Sequence, residues 1–316
     1  MAEKMKAAVF HKFGNLENVT VEEVDIPEAG EGEVLVRVEA AGVNPVDAKI
    51  VQGYLKNALP HEFPVVSGWD FAGVVEERGF SARRFEPGDK VYGYARRPVV
   101  QWGTFAEHLV IPESYLAHRP GNIPVEQAAG IPLVGLTAYQ SLYDAGDIQE
   151  EEKVLILGAS GGVGSMGIQL AKEQSAHVIG VASEKNHAYM KKLGADEAVD
   201  YRGSDIGKAV QEIHKEGVDL IFDCAGGETL QQSLKALKPG GRLVSIRDRG
   251  ADLDSNIRHK YVFVEPNSSE LQHLRELVES GRIGLPVSGV FELAEVVEAL
   301  EKVVTLHTKG KMVIKM

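Results

Sequence analysis

The segment Gly158-Ala159-Ser160-Gly161-Gly162-Val163-Gly164 constrains the fold of this chain more than any other. It follows a continuous apolar run, Lys153–Leu157, and precedes a stretch of helical character reaching Gln174. A glycine-rich turn between a buried strand and a helix lets the backbone approach a pyrophosphate. The helix N-terminus behind it offers unpaired N–H groups and the positive end of its dipole. Ala159 stands where the first glycine of G-x-G-x-x-G falls, while Gly161 and Gly164 match. A tight strand–helix turn with no ligand has the same local sequence, so the context decides. Residues 177–182, 218–223, 242–246 and 261–264 read as further strands, and 186–193, 204–215 and 229–237 as helices. Continuous apolar strands alternating with helices require a parallel sheet covered on both faces. The expected fold class is therefore α/β, with a Rossmann doubly wound parallel sheet over residues 122–281.

The end of the second strand selects the dinucleotide. An Asp or Glu there bonds the ribose 2′-OH of NAD, and the same charge opposes the 2′-phosphate of NADP. Here the segment is Val181-Ala182-Ser183-Glu184-Lys185-Asn186, with Ala182 at the acidic position. The expected cofactor is NADPH, with Ser183 and Lys185 as phosphate contacts and Glu184 turned to solvent. The same four polar residues also make an ordinary helix cap.

Upstream the period changes. Val34-Leu35-Val36-Arg37-Val38 and Gly73-Val74-Val75-Glu76 are short strands bounded by turn signals, and 125–140 reads as one helix. Near the end, Ser268 and Ser269 are candidate caps for a helix carrying Leu271, Leu274, Leu277 and Val278, with Gly281 suited to end it. An amphipathic stretch over 293–304 precedes a closing strand over 310–314. The expected plan is a β-rich domain over 1–121 and 282–316, with the Rossmann domain inserted into it.

Composition narrows the partners. The chain has 34 Lys+Arg against 46 Asp+Glu, a formal charge of −12, which repels nucleic-acid backbones and acidic membrane surfaces. Neither partner is expected, and an anionic cofactor must be held by local donors. The single cysteine, Cys224, excludes a disulfide framework or a multi-cysteine metal site and reads as a buried small hydrophobe. The opening residues lack a signal-length apolar stretch, and no window is apolar enough to span a bilayer, so the expectation is cytoplasmic. No two histidines form a ligand pair at helical spacing; His61, His108 and His118 are expected to be structural or at the surface.

Ordered matches run along nearly the whole chain. They include Ala41-Gly42-Val43-Asn44-Pro45-Val46-Asp47, Gly68-Trp69-Asp70-Phe71-Ala72-Gly73 and Pro87-Gly88-Asp89-Lys90-Val91. Gly103-Thr104-Phe105-Ala106-Glu107, Leu136-Thr137-Ala138-Tyr139, Lys192-Leu193-Gly194-Ala195-Asp196 and Gly310-Lys311 continue the series. Together with the glycine turn, they make the chain resemble the medium-chain dehydrogenase/reductase superfamily, in its zinc-free quinone oxidoreductase (zeta-crystallin-like) and enone oxidoreductase branch. The resemblance makes the β-rich domain GroES-like and catalytic. It also places Asp47, Trp69 and Asp70 at the positions where the alcohol dehydrogenases hold a catalytic zinc. A tryptophan is no zinc ligand, so no metal is expected. Reduction of an activated C=C or a quinone is then favoured over alcohol oxidation.

The same resemblance implies residue roles. Ser160, Gly161, Gly162 and Val163 would contact the pyrophosphate, and Tyr201 the adenosine portion. Thr137 would lie near the nicotinamide, and Ser245, Val262, Phe263 and Val264 would complete the cofactor site. Lys49 matches the lysine that enone-reducing relatives place beside the nicotinamide ribose, with Asn44 in the turn before it. The implied reaction is hydride transfer to an enone, with the proton coming from Lys49, Tyr54 or water. Quinone reduction, a cofactor-binding sensor or structural protein, and an alcohol dehydrogenase are the alternatives. Relatives pair across the Rossmann edge, so Tyr261-Val262-Phe263-Val264 is the expected edge strand of a homodimer.

Overall fold

A computed structural model describes residues 3–203, 205–305 and 309–316. It divides into two compact units. The first comprises Met1–Leu133, Glu265–Ser280 and Leu285–Met316, and the second Val134–Val264 and Gly281–Gly284.

The first unit begins with strands β1 (Lys4–Phe10), β2 (Thr20–Asp25) and β3 (Glu33–Val43), then helix α1 (Pro45–Val51). Strands β4 (Val65–Val66), β5 (Asp70–Arg78), β6 (Lys90–Tyr94), β7 (His108–Pro112) and β8 (Leu116–His118) follow, and helix α2 (Val125–Ala129). The single helix expected over 125–140 is broken. Gly130 caps α2, and Pro132, which has no N–H to donate, opens α3 (Pro132–Tyr139). The chain then widens into a π-type turn over Gln140–Ala145, closed by the Gly146 N–H on the Ser141 carbonyl at 2.9 Å.

Strands and helices alternate in the second unit. They are β9 (Lys153–Leu157), α4 (Gly162–Glu173), β10 (His177–Val181), α5 (His187–Lys192), β11 (Glu197–Val199), α6 (Ile206–Ile213), β12 (Val218–Asp223), α7 (Gly227–Ser233), β13 (Leu237–Ser245) and β14 (Arg258–Tyr261). The helix expected over 204–215 starts at Ile206, capped by the Asp205 side chain, and residue 204 lies outside the described residues. All pairings are parallel, in the order β11-β10-β9-β12-β13-β14. This is the doubly wound arrangement, in which the order reverses between β9 and β12. Leu155, Ile179, Ile221 and Leu243 fill its core with Ile206, Val210 and Leu230 from the helices.

One strand differs from expectation. The edge strand β14 is Arg258–Tyr261, and Val262, Phe263 and Val264 run on beyond the ladder. The apolar run Val262–Val264 was therefore misassigned as edge strand. Apolar character alone does not mark pairing, and Val264 is buried without it.

The chain returns to the first unit through α8 (Ser268–Glu279), β15 (Val287–Glu292), α9 (Val296–Val304) and β16 (Lys311–Lys315). The cap of α8 is Asn267, not Ser268 or Ser269; its side-chain oxygen accepts from the N–H groups of Ser269 at 3.0 Å and Glu270 at 3.2 Å. Helix α8 belongs with the first unit, although it falls inside the expected 122–281, because Tyr92 donates its hydroxyl to the Leu271 carbonyl at 2.5 Å. The large sheet of this unit runs β15-β16-β3-β5-β6-β8, with β7 also paired to β3. Val34, Val36, Val38, Phe71, Leu109 and Ile111 form its core. Among the described residues, no helix is long and apolar enough to cross a membrane.

Candidate cofactor and active site

Strand register builds the cofactor end of the second unit. Val199, Val181, Leu157, Asp223, Ser245 and Tyr261 pair in one row across the six strands. The loops that follow this row therefore all leave the carboxyl end of the sheet, where doubly wound folds bind their ligands. Those loops carry Ser160, Gly161, Gly162 and Val163, then Ser183 and Lys185, Tyr201, and Val262, Phe263 and Val264.

Within the glycine turn, the left-handed backbone position is Gly158, at φ +71°, one residue before the motif position that Ala159 fills. This frees Ala159 to carry a Cβ, while its N–H bonds the Val181 carbonyl at 3.0 Å. Gly164 is required for space, because a Cβ there would lie 2.4 Å from the Gly158 carbonyl oxygen and 2.6 Å from the Ala159 Cα. The turn is thereby packed tightly onto the first turn of α4, whose leading N–H groups have no intrahelical acceptor.

Asn186, read in the sequence only as part of a polar cap, joins the glycine turn to the end of β10. Its amide donates to Ser160 Oγ at 3.0 Å and to Ser183 Oγ at 3.3 Å, so one side chain spans the glycine turn and the end of β10. Asn186 Oδ1 is buried and has no partner, an unsatisfied acceptor next to both serines. Glu184 and Lys185 are exposed, and Ala182 is buried with no carboxylate at its position. Tyr201 is partly exposed, with the Arg202 guanidinium 5.4 Å from its ring centroid. Helix α4, its tight turn and this serine pair fit a dinucleotide.

Ser245 serves the loop from inside. Its hydroxyl donates to Asp223 Oδ2 at 2.6 Å and accepts from the N–H groups of Arg247 and Asp248 at 3.0 and 2.8 Å. Thr137 is buried on α3. Cys224 is half-buried, and burial followed by the Asp223 charge pushes its thiol well above the usual range, which disfavours the nucleophilic thiolate.

In the first unit, Asn44 begins a buried polar network. Its N–H donates to Asp47 Oδ2 at 2.7 Å, and its amide donates to Asp70 Oδ2 at 2.9 Å. The Lys311 ammonium completes the network, donating to Asn44 Oδ1 at 2.5 Å, Val43 O at 3.1 Å and Asp70 Oδ2 at 3.1 Å. The other Asp70 oxygen accepts the Leu133 N–H at 2.6 Å. Trp69 stacks edge-on against Tyr94 at 5.9 Å. The three positions corresponding to zinc ligands thus offer an indole and two carboxylates, one of which already holds a buried ammonium. Zinc needs three S, N or O donors and an open position; these residues do not fit it. The Lys311 contribution was not foreseen. Its only sequence signal was Gly310-Lys311 in the closing strand.

Lys49 is half-buried on α1, in its last turn. Tyr54 is not drawn into the network. It lies just beyond the helix, 75% exposed, its N–H on the Lys49 carbonyl.

Burial raises the Asp47 carboxyl from 3.8 to about 8; its bond from the Asn44 N–H and the Lys311 charge only partly oppose this. An acid whose pKa is higher folded than unfolded stabilises the fold only while protonated. Its contribution is complete below about pH 4 and is lost as pH rises toward 8. Asp47→Asn keeps an acceptor for the Asn44 N–H and removes the titration. The variant is expected to gain about 1–3 kcal/mol over the parent near pH 8, with the gap closing toward pH 4. Denaturant unfolding across that range checks this; a pH-independent gap would remove Asp47 as its source.

The comparisons with known proteins agree with this geometry. A family model described as "Alcohol dehydrogenase GroES-like domain" matches residues 30–121, and one described as "Zinc-binding dehydrogenase" matches 193–314. The mitochondrial NAD(P)H oxidoreductase RTN4IP1 of Danio rerio is 33% identical, over 89% of this chain and 83% of its own length. The chloroplastic NADPH-dependent alkenal/one oxidoreductase of Arabidopsis thaliana is 34% identical, over 98% of this chain and 79% of its own. Among solved structures, a quinone oxidoreductase from Coxiella burnetii superposes with a TM-score of 0.90 at 33% identity, covering 99% of this chain and 100% of that one.

Proposed function

We propose, because the chain belongs to the medium-chain dehydrogenase/reductase superfamily in its quinone and enone oxidoreductase branch, that this NAD(P)H-dependent oxidoreductase is a zinc-independent NADPH-dependent reductase of α,β-unsaturated carbonyls. The observation that carries the reading is that the matched ligand positions hold the Trp69 indole and an Asp70 carboxylate already bonded to the Lys311 ammonium. Without a Lewis acid to activate an alcohol, an acceptor already polarised by conjugation is the fitting substrate. When bound, NADPH supplies the hydride that the β-carbon accepts while a proton reaches the α-carbon.

The chain's part is binding and orientation. The α4 N-terminus and the turn before it hold the pyrophosphate, and Ser183 and Lys185 hold the 2′-phosphate. Lys49 supplies the cation that favours the enolate oxygen, and the α-proton comes from Lys49 or water, since Tyr54 stands exposed. Quinone reduction is the second reading, supported by the likeness to the Coxiella burnetii quinone oxidoreductase. Pairing of two copies along the outer edge of β14 belongs to the same proposal.

A panel of short enones, quinones and saturated alcohols, each run with NADPH and NADH, tests the reading. Enone-dependent oxidation of NADPH is expected; alcohol oxidation abolished by a chelator would overturn it. The double variant Ser183→Ala, Lys185→Ala is expected to raise the KM for NADPH about tenfold or more, equivalent to 1.4 kcal/mol, while leaving that for NADH within about twofold. An equal rise for both would place the 2′-phosphate elsewhere.

A further inference from the structure

The parallel sheet brings together three side chains outside the cofactor site. His177 opens β10, Glu197 opens β11, and His214 closes α6. Glu197 Oε1 lies 2.7 Å from His177 Nε2 and 2.7 Å from His214 Nε2, and the two imidazole rings meet edge to face at 5.2 Å. The three candidate ligand atoms lie within 4.8 Å of one another. The second carboxylate oxygen, Glu197 Oε2, is buried and has no partner. Burial raises the Glu197 carboxyl, but the bonds from His177 and His214 outweigh it and leave it below its ordinary range, hence ionised. On the far side of His177, Nδ1 lies 3.8 Å from Asp196 Oδ2, itself held by Lys172 at 2.8 Å. At 3.8 Å this carboxylate stands near the imidazole as a charge, without the hydrogen bond that commonly supports a metal-bound histidine.

We propose that His177, Glu197 and His214 form a site for a zinc-type divalent cation, with water as the fourth ligand, that ties edge strand β11 and helix α6 to β10. Two imidazoles and one carboxylate are a ligand set zinc accepts. At zinc–ligand distances near 2.0–2.1 Å, tetrahedral ligand atoms stand about 3.3 Å apart, so each 2.7 Å contact widens by about 0.6 Å, within the reach of side-chain rotation. Such a metal would be structural. His177 pairs with Lys153, four residues or about 13 Å before the end of β9 that the glycine turn follows, and Glu197 lies two residues or about 7 Å short of the same end of the sheet.

The test uses the full-length chain, free of any affinity tag and stripped with a chelator, titrated with zinc at pH 7.5. One zinc per chain and a rise of several degrees in the thermal midpoint are expected. His177→Gln and His214→Gln should each weaken binding at least tenfold, with NADPH binding unchanged. The reading is overturned if the stripped chain takes up no zinc at 1 mM, or if the double histidine variant binds it as the parent does. Should a variant fail to fold, cobalt(II) added to the parent decides: intense visible absorption of a tetrahedral ion supports the site, and the weak spectrum of an octahedral ion overturns it.

Discussion

Lys311→Met is expected to destabilise the protein by about 3–5 kcal/mol, the range for removing one partner of a buried ion pair. Lys311 is 4% exposed and Asp70 wholly buried. All three ammonium donors are in use, on Asp70, Asn44 and the Val43 carbonyl. Methionine fills similar volume but leaves Asp70 without its cation and two acceptors without a donor. Burial already raises the Asp70 pKa, and the Lys311 charge is the largest influence holding it down. In the variant that restraint is gone and the carboxyl takes up a proton more readily, at a cost to the fold. Asp70→Asn in the Lys311→Met background should recover more than half of the loss, because a neutral amide needs no counter-charge. Denaturant midpoints for the four proteins of this cycle measure the coupling. A single variant within 1 kcal/mol of the parent would show that the ammonium is dispensable.

The second large effect is expected at Gly164. Gly164→Ala places a methyl 2.4 Å from a backbone oxygen and 2.6 Å from a backbone carbon, neither of which can rotate away. The turn must separate from the helix, with an overpacking cost of about 1–3 kcal/mol. The N–H groups proposed to hold the pyrophosphate move with it, and NADPH affinity should fall at least tenfold. Gly161→Ala is the matched control. Its φ is −76°, and the added methyl meets only the Gly158 oxygen at 3.4 Å, an ordinary contact. That variant should melt within about two degrees of the parent, yet bind NADPH more weakly, because the methyl occupies the side from which a pyrophosphate approaches. Melting curves with and without NADPH separate the two effects. Equal melting of both variants would refute the packing argument at Gly164.

Much of the second unit was legible because its signals are local. An apolar run, a glycine turn and a helix occupy consecutive residues, and the absence of an acid at Ala182 can be read without neighbours. The errors fell where local character is shared between outcomes. Val262–Val264 is apolar enough for a strand, yet the ladder ends at Tyr261 and of the three only Val264 is buried; and Asn267, Ser268 and Ser269 are all competent caps, of which geometry uses Asn267. Gly130 and Pro132 did signal the break in the helix expected over 125–140, but small apolar residues on either side masked it.

The clusters that carry charge were not legible. His177, Glu197 and His214 show no ligand spacing along the chain, because adjacent parallel strands and the end of a helix bring them together. Lys311 meets Asp70 across 241 residues, through the pairing of β16 with β3 and of β3 with β5. The sequence by itself determined the α/β class, the glycine turn between strand and helix and the mismatch of Trp69 with a zinc site, since each rests on residue type and near-neighbour spacing. Only the tertiary structure decided what stands at that site instead. Whether a buried carboxylate meets a metal, a proton or an ammonium depends on which distant side chain the sheet register delivers to it.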